Sequence, residues 1–201
     1  MAWIAIANYV TNFADQAVVL PLTFVVAVVL FTAGWRRGAV VWTATIGATL
    51  AVTLLLKIVL FSCGHLIPNL VVQSPSGHTA ASGAVYGGLA AIVARIVLGA
   101  NSRRRHLWVW AVTILVVITI ATSRVMLGAH TVPEVISGGI IAVCGAVTFD
   151  WLAGTAPPTL RLRSLAAGAI IVVVLLHGFR MPAEAAIHRY AYDLWPLSSC
   201  Q

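Results

Sequence analysis

Three ionisable side chains, Arg124, His130 and Glu134, lie in one short stretch between two long apolar runs. A cation at the centre of a bilayer costs about 3 kcal/mol even on lenient insertion scales, so charges crowded at the edge of an apolar run indicate a function. Arg124 offers a planar fork of donors for phosphate or carboxylate, and His130 can act as nucleophile, acid or base. If a helix begins near Pro133, Glu134 can reach back from its first turn and fix the tautomer of His130. This pattern predicts nucleophilic catalysis on an anionic substrate.

A second polar stretch precedes the next apolar run upstream and reads Ser74-Pro75-Ser76-Gly77-His78. We expect Ser74 to be the N-cap and Pro75 the first residue of a helix. The free backbone N–H groups of that first turn would form an anion site, which Gly77 allows a ligand to approach closely. Ser76 adds a hydroxyl group and His78 a second imidazole. The two stretches together predict a site for a phosphate-like group.

These residues resemble the signatures of the type-2 phosphatidic acid phosphatase family, which shares its catalytic motifs with the vanadium haloperoxidases. The Pro-Ser-Gly-His signature matches fully at Pro75 to His78. The signature Ser-Arg, five residues, His, three residues, Asp matches at Ser123, Arg124 and His130. Glu134 stands where the family usually has Asp, which adds one methylene to the side chain. Two signatures in the correct order, each at the edge of an apolar run, make the resemblance specific.

The family's first signature, a Lys with Arg-Pro seven residues later, matches only at Lys57, since Gly64 and His65 occupy the other positions. One phosphate-binding cation is therefore missing. We consider three replacements, which are a protonated His65 and, from the C-terminal tail, Arg180 or Arg189. Lys57 itself has a simpler alternative, because a lysine near a helix end can extend to the membrane interface.

The resemblance implies a phosphatase that needs no metal or other cofactor and works through a phosphohistidine. His130 would attack phosphorus, Glu134 would hold its other ring nitrogen, and His78 would protonate the leaving lipid alkoxide. Ser123 has a local alternative as a hydrogen-bond former within its helix. The groups implied to bind the phosphoryl oxygens are Lys57, Ser76, the Gly77 backbone N–H and Arg124, and we add Ser123 and a protonated His65 as further candidates.

The composition is that of an integral membrane protein. The chain is 61% hydrophobic and only 8% charged, whereas a soluble domain has about 25% charged residues. Several apolar runs reach about 18 residues, enough to span a bilayer as helices. Residues 1–201 are predicted to form a single all-α bundle with lipids around it. The net charge of +7 comes mainly from arginines in short loops, so it predicts membrane topology rather than nucleic-acid binding.

The apolar runs predict six transmembrane helices behind an N-terminal interfacial helix. Residues 1–16 are interrupted by Asn8, Asn12 and Asp15, so we expect this helix to lie along the membrane surface. Gly83 and Gly87 would allow close helix contact and place the third span at the centre of the bundle. The six-span core covers residues 17–180, with spans at 17–33, 39–61, 75–98, 107–122, 133–152 and 165–179.

The arginines assign the two faces of the membrane. With six spans, the loop arginines gather on one side, which the positive-inside rule makes cytoplasmic. Both termini, the tail 181–201 and all three signatures then face the exterior or periplasm, in what we expect to be a bacterial plasma membrane. Cys63 and Cys200 also share this side, and the sequence leaves open whether they are bridged. The loop arginines are Arg36, Arg37, Arg103, Arg104, Arg105, Arg161 and Arg163.

The predicted function is hydrolysis of a lipid phosphomonoester or pyrophosphate at the outer membrane face. Two alternatives remain open. A phosphotransferase would use the same site but pass the phosphoryl group to a lipid hydroxyl. A catalytically weak homologue would bind or translocate lipid, as the incomplete first signature suggests. The identity of the lipid and the oligomeric state are not readable from the sequence.

Overall fold

The computed structural model describes residues 2–63, 72–99 and 102–194, and in these ranges the chain is helical, with no strand. The prediction of an all-α fold is confirmed for them. The helices are α1 (Ala2–Asn12), α2 (Gln16–Thr32), α3 (Arg36–Cys63), α4 (Gly77–Leu98), α5 (Arg103–Met126), α6 (Val132–Leu152), α7 (Leu162–Leu176) and α8 (Ala183–Leu194).

Five helical segments of the described chain are long and apolar enough to cross a membrane. The first runs through α1 and α2 as Ala2–Thr32, and the others are Arg36–Phe61 and the whole of α4, α5 and α6. Helix α7 is apolar but has only 15 residues. The membrane character of the chain is therefore confirmed. The count of six spans and the surface position of α1 stay predictions.

Hydrogen bonds between helix ends show that the bundle alternates in direction. At the end that we call the arginine end, Arg37 Nε donates to Leu152 O over 3.0 Å. At the same end, Thr159 Oγ1 donates to Ala33 O over 2.6 Å. At the other end, Ser76 N donates to Glu134 O over 2.9 Å. The start of α4, with the Pro-Ser-Gly-His signature, and the start of α6, with Glu134, therefore meet at one end of the bundle, which we call the signature end.

Helix α4 lies at the centre of the bundle, as its small residues predict. A Cβ atom on Gly83 would come within 2.6 Å of Ala142 Cβ on α6 and 2.8 Å of Val117 on α5. On Gly87 it would come within 2.8 Å of Ala146 Cβ. Because a side chain at either position would overlap its neighbours, these glycines allow three helices to pack closely. This contact sets the distance between the starts of α4 and α6.

A buried ion cluster ties three helices together at the arginine end. The Asp150 carboxylate lies 2.8 Å from Arg95 Nη1, 3.2 Å from Arg105 Nε and 2.5 Å from His106 Nδ1. Arg95 also donates to the Asp150 and Gly154 carbonyl oxygens. Charges buried in this way are stable only when paired and hydrogen-bonded, so the cluster locks α4, α5 and α6 in register.

Candidate active site

The turn between α5 and α6 places His130 against Glu134. Gly128, with φ +64°, takes the left-handed conformation just after α5 ends. Thr131 then caps α6, and its backbone N–H donates to Glu134 Oε2 over 3.0 Å. The same oxygen lies 3.1 Å from His130 Nδ1. A carboxylate at this distance holds the proton on Nδ1 and leaves the lone pair on Nε2, which is the tautomer that a nucleophile requires.

Glu134 also joins the two signature stretches. Its Oε1 accepts hydrogen bonds from the backbone N–H groups of Gln73, over 3.2 Å, and Ser74, over 3.0 Å. Its backbone oxygen accepts a third from Ser76 N. One carboxylate therefore contacts the His130 ring with one oxygen and the loop before α4 with the other. The first turn of α6 positions both parts of the site.

The start of α4 differs from the prediction by two residues. The helix begins at Gly77, and its N-cap is Ser76, whose Oγ accepts from Thr79 N over 3.4 Å and from Thr79 Oγ1 over 3.0 Å. Assigning the cap to Ser74 was wrong, because the Ser74 backbone N–H is bonded to Glu134 on another helix. That contact keeps the residues before Ser76 out of the helix. The shift places Ser76 and Gly77 at the free N–H groups of the first turn.

Lys57 reaches this helix start from α3. Its side chain is buried, and Nζ lies 3.4 Å from Ser74 Oγ. A Cβ atom on Gly77 would lie 3.5 Å from Lys57 Cε, so the lysine stem runs past the first turn of α4. A lysine extending to the membrane interface would be exposed at its tip. The burial of Lys57 instead favours a role as a ligand for an anion within the bundle.

The C-terminal helix contributes a residue that sequence reasoning missed. Glu184, in the first turn of α8, places Oε1 2.5 Å from Lys57 Nζ and 3.7 Å from His130 Nε2. Its side chain remains 40% exposed. Burial alone would raise the pKa of Glu184, but the Lys57 ammonium and its hydrogen bond outweigh burial and lower it. A carboxylate oxygen therefore lies where Lys57 and His130 converge.

The C-terminal tail therefore brings a carboxylate, that of Glu184, to the site for which Arg180 or Arg189 was considered as a replacement cation. Arg180 donates to Asn8 Oδ1 over 2.8 Å and to Asn12 Oδ1 over 3.2 Å, and Arg189 is exposed. One feature of the sequence indicates a role for Glu184. The chain has only five acidic residues, and this one lies in the first turn of an amphipathic helix in the tail.

Two buried polar atoms of the site have no hydrogen-bond partner among the described residues. They are Nε2 of His130 and Nε of Arg124. Arg124 interacts electrostatically with His130 and Glu184, so its charge acts on the same space. A buried polar group without a partner costs about 1–3 kcal/mol, which is usually recovered by a ligand or solvent. The arrangement suits a ligand that offers anionic oxygens to the guanidinium group and an electrophilic atom to Nε2.

The second histidine of the site also has a carboxylate beside it. His78 Nε2 lies 3.6 Å from Asp15 Oδ2, and the His78 side chain is 18% exposed. Asp15 is the N-cap of α2, and its Oδ1 accepts from Ala17 N and Met181 N. Sequence reasoning treated Asp15 only as an interruption of the N-terminal helix. The structure places it at the signature end, with its second oxygen toward the imidazole.

A comparison with protein families supports the resemblance. The model of the PAP2 superfamily matches residues 59–156, just under half of the chain. This match is consistent with a member of the type-2 phosphatidic acid phosphatase family. The matched segment contains the full signature at Pro75 to His78 and the signature from Ser123 to Glu134, in which Glu134 stands for the usual Asp. No curated protein and no solved structure gives a significant match.

The PAP2 match supports the coarse activity. The superfamily consists of phosphatases and phosphoesterases, so this membrane protein is a hydrolase with phosphatase-type activity on phosphate esters. Of the remaining predicted PAP2 site residues, Ser123 is buried and donates its hydroxyl to Ile120 O over 2.7 Å. Its contact with phosphate stays a prediction. His65, Cys200 and the side chain of Cys63 lie outside the described residues.

The groups around His130 favour the neutral form of its imidazole. Burial lowers the pKa of His130 below its ordinary value of 6.5, and the Lys57 and Arg124 cations lower it further. Glu184 and Glu134 oppose this shift without reversing it. The neutral form, which carries the nucleophilic lone pair, therefore predominates at pH 7.

Proposed function

We propose that this protein hydrolyses a lipid phosphomonoester or pyrophosphate through a phosphohistidine on His130, without a metal. One observation carries the proposal. Glu134 holds Nδ1 of the ring at 3.1 Å, while Nε2 is buried without a hydrogen-bond partner among the described residues. An imidazole held on one side and without a hydrogen bond on the other is arranged to attack, and the cations Lys57 and Arg124 act electrostatically on the ring.

The reaction has two steps. In the first, His130 Nε2 forms a bond to phosphorus as the bond from phosphorus to the leaving oxygen breaks, and His78 gives a proton to that oxygen. Glu134 stabilises the positive charge that the phosphorylated ring carries. In the second step, water attacks phosphorus, neutral His78 takes a proton from the water, and His130 leaves with its lone pair restored.

Phosphoryl oxygens need donors that are already in place, because uncatalysed phosphate-monoester hydrolysis is extremely slow. We assign this role to the Lys57 ammonium, Ser76, the Gly77 backbone N–H and the Arg124 guanidinium. Glu184 Oε1 lies where Lys57 and His130 would meet a phosphoryl oxygen. The substrate's phosphate must therefore displace this carboxylate when it binds.

The membrane arrangement supports a lipid substrate. We propose a single domain of six spans, in which α7 completes the core and α1 lies at the surface. The loop arginines lie at the arginine end, which the positive-inside rule makes cytoplasmic, so the signature end faces outward. In this arrangement the reacting groups lie at the depth of lipid headgroups, which suits phosphatidate, phosphoglycerolipid phosphates and isoprenoid phosphates alike.

Phosphate release from a panel of these lipids by the purified protein tests the function. We expect release of inorganic phosphate from at least one lipid, unaffected by chelator and inhibited by orthovanadate, which mimics a phosphoryl group in transfer. Labelled phosphate that appears on a second lipid instead of in water would support the phosphotransferase. Binding of lipid phosphate without turnover would overturn hydrolysis in favour of the lipid-binding alternative.

Removing the charge of Glu184 should strengthen binding of phosphate analogues. In Glu184→Gln we expect the orthovanadate concentration for half-inhibition to fall by about fivefold, because a like charge close to the bound anion is lost. The acidic limb of kcat/KM should lie below pH 6.5 in the wild type. In the variant it should move to lower pH, because Glu184 raises the pKa of His130.

The control for Glu184 is a charge change at the opposite end of the bundle. Arg161 is exposed and is one of the loop arginines, so Arg161→Gln should leave vanadate inhibition and the pH profile close to the wild type. Weaker inhibition by vanadate in Glu184→Gln, or an acidic limb that moves to higher pH, would contradict the displacement of Glu184 by phosphate.

A further inference from the structure

Asp15 occupies an unusual position for a helix cap. It is buried, although a cap residue needs only a short acceptor at the helix end. One oxygen, Oδ1, caps the helix by accepting a hydrogen bond from Ala17 N over 2.9 Å. It also accepts one from Met181 N over 3.0 Å. The second oxygen is not needed for either bond. It lies 3.6 Å from His78 Nε2.

We propose that Asp15 is a positioning residue for His78, holding Nε2 of the general acid so that Nδ1 delivers the proton. The proposal rests on the proposed phosphatase function. A carboxylate beside one ring nitrogen of His78 fixes the orientation of the ring, so that the other nitrogen can face the leaving oxygen. After Nδ1 has given its proton to the leaving oxygen, the ring remains neutral, with its other proton on Nε2 beside the carboxylate.

The geometry supports this role in two ways. The contact of 3.6 Å is within ion-pair range, and hydrogen bonds of catalytic groups are commonly long before substrate binds and shorten in the complex. The charge of Asp15 also acts electrostatically on Arg124, so the carboxylate influences a second group of the proposed site. Each histidine of the site then has its own carboxylate, Glu134 for His130 and Asp15 for His78.

Two substitutions separate positioning from capping. Asp15→Asn keeps an oxygen for the Ala17 and Met181 N–H groups, and Asp15→Ser keeps a good N-cap, but both remove the charge facing His78. We expect both variants to have melting temperatures near the wild type. We expect kcat on a lipid phosphate to fall by about 10- to 100-fold in each, a part of the usual contribution of general acid catalysis.

The leaving group identifies the affected step. An alkoxide leaving group needs the proton, whereas p-nitrophenolate leaves readily without it. The ratio kcat/KM reports the steps up to phosphohistidine formation, so its value on p-nitrophenyl phosphate should change by less than about threefold. In a His78→Gln background, adding Asp15→Asn should have no further effect on lipid phosphate, because the two residues act as one unit. Wild-type kcat in both Asp15 variants, equal slowing of both substrates, or full additivity with His78→Gln would overturn the proposal.

A direct measurement keeps this proposal separate from the phosphatase function. If the wild type released phosphate from neither ester, the proposed function would fail, and the Asp15 contact would be judged from the ring nitrogens of His78. Their ¹⁵N chemical shifts should differ between the wild type and both Asp15 variants, because the carboxylate beside Nε2 is lost. Unchanged shifts would overturn the contact whatever the activity.

Discussion

Replacing His130 with alanine will abolish phosphate release from every lipid phosphate, with a loss in kcat of more than about 10³-fold. The reason is chemical rather than structural. Nε2 of this ring is the atom that bonds to phosphorus, and the described residues offer no second imidazole held by a carboxylate beside both Lys57 and Arg124. The measurement is phosphate release by purified protein in detergent or vesicles.

A trapped intermediate gives a second, independent observation. Wild-type protein mixed briefly with ³²P-labelled substrate should carry a label that is stable to alkali and labile to acid, as expected of phosphohistidine, and His130→Ala should carry none. His177 is the matched control. It lies outside the site, with its ring against Tyr9 and Phe13, so His177→Ala should retain activity and label. Substantial turnover in His130→Ala would rule out the phosphohistidine mechanism.

Glu134→Gln should lower kcat by about 10³-fold or more, whereas Glu134→Asp should stay within about tenfold of the wild type. All four hydrogen-bond contacts of the carboxylate are with nitrogen atoms: Thr131 N, Gln73 N, Ser74 N and the His130 ring. An amide must turn an NH₂ group toward some of these donors, and it loses the charge that stabilises the phosphorylated ring. Loss of the orienting charge in a comparable triad costs about 10⁴-fold.

The aspartate variant separates the two roles of Glu134, which are to orient His130 and to bind the loop before α4. Its carboxylate has the charge that the family usually places here, but it is one methylene shorter. We expect it to keep the His130 contact and to weaken the bonds to Gln73 and Ser74, so the melting temperature should fall while most activity remains. Equal activity in Glu134→Gln and Glu134→Asp would show that the charge has no part in catalysis. Both variants should be compared by kcat on the same lipid.

Much of the architecture follows from local patterns in the chain. Low charge content and long apolar runs predict membrane helices, because a helix satisfies its own backbone hydrogen bonds in lipid. The small residues of α4 predict its central position, because they allow close packing wherever they face another helix. The His130–Glu134 contact is also local, because the helix that begins near Pro133 brings together residues four apart.

The sequence alone therefore determined the family resemblance, the helical membrane class and the contact between His130 and Glu134, which lie four residues apart. Tertiary structure alone decided which distant acids reach the site. Asp15, before α2, lies beside His78, and Glu184, in α8, lies beside Lys57, and neither has a spacing that predicts its partner. Tertiary structure also moved the N-cap of α4 from Ser74 to Ser76, because Glu134 bonds the preceding backbone. The physical reason is the same in each case: such contacts depend on how helices pack, and hydrophobic packing is not directional.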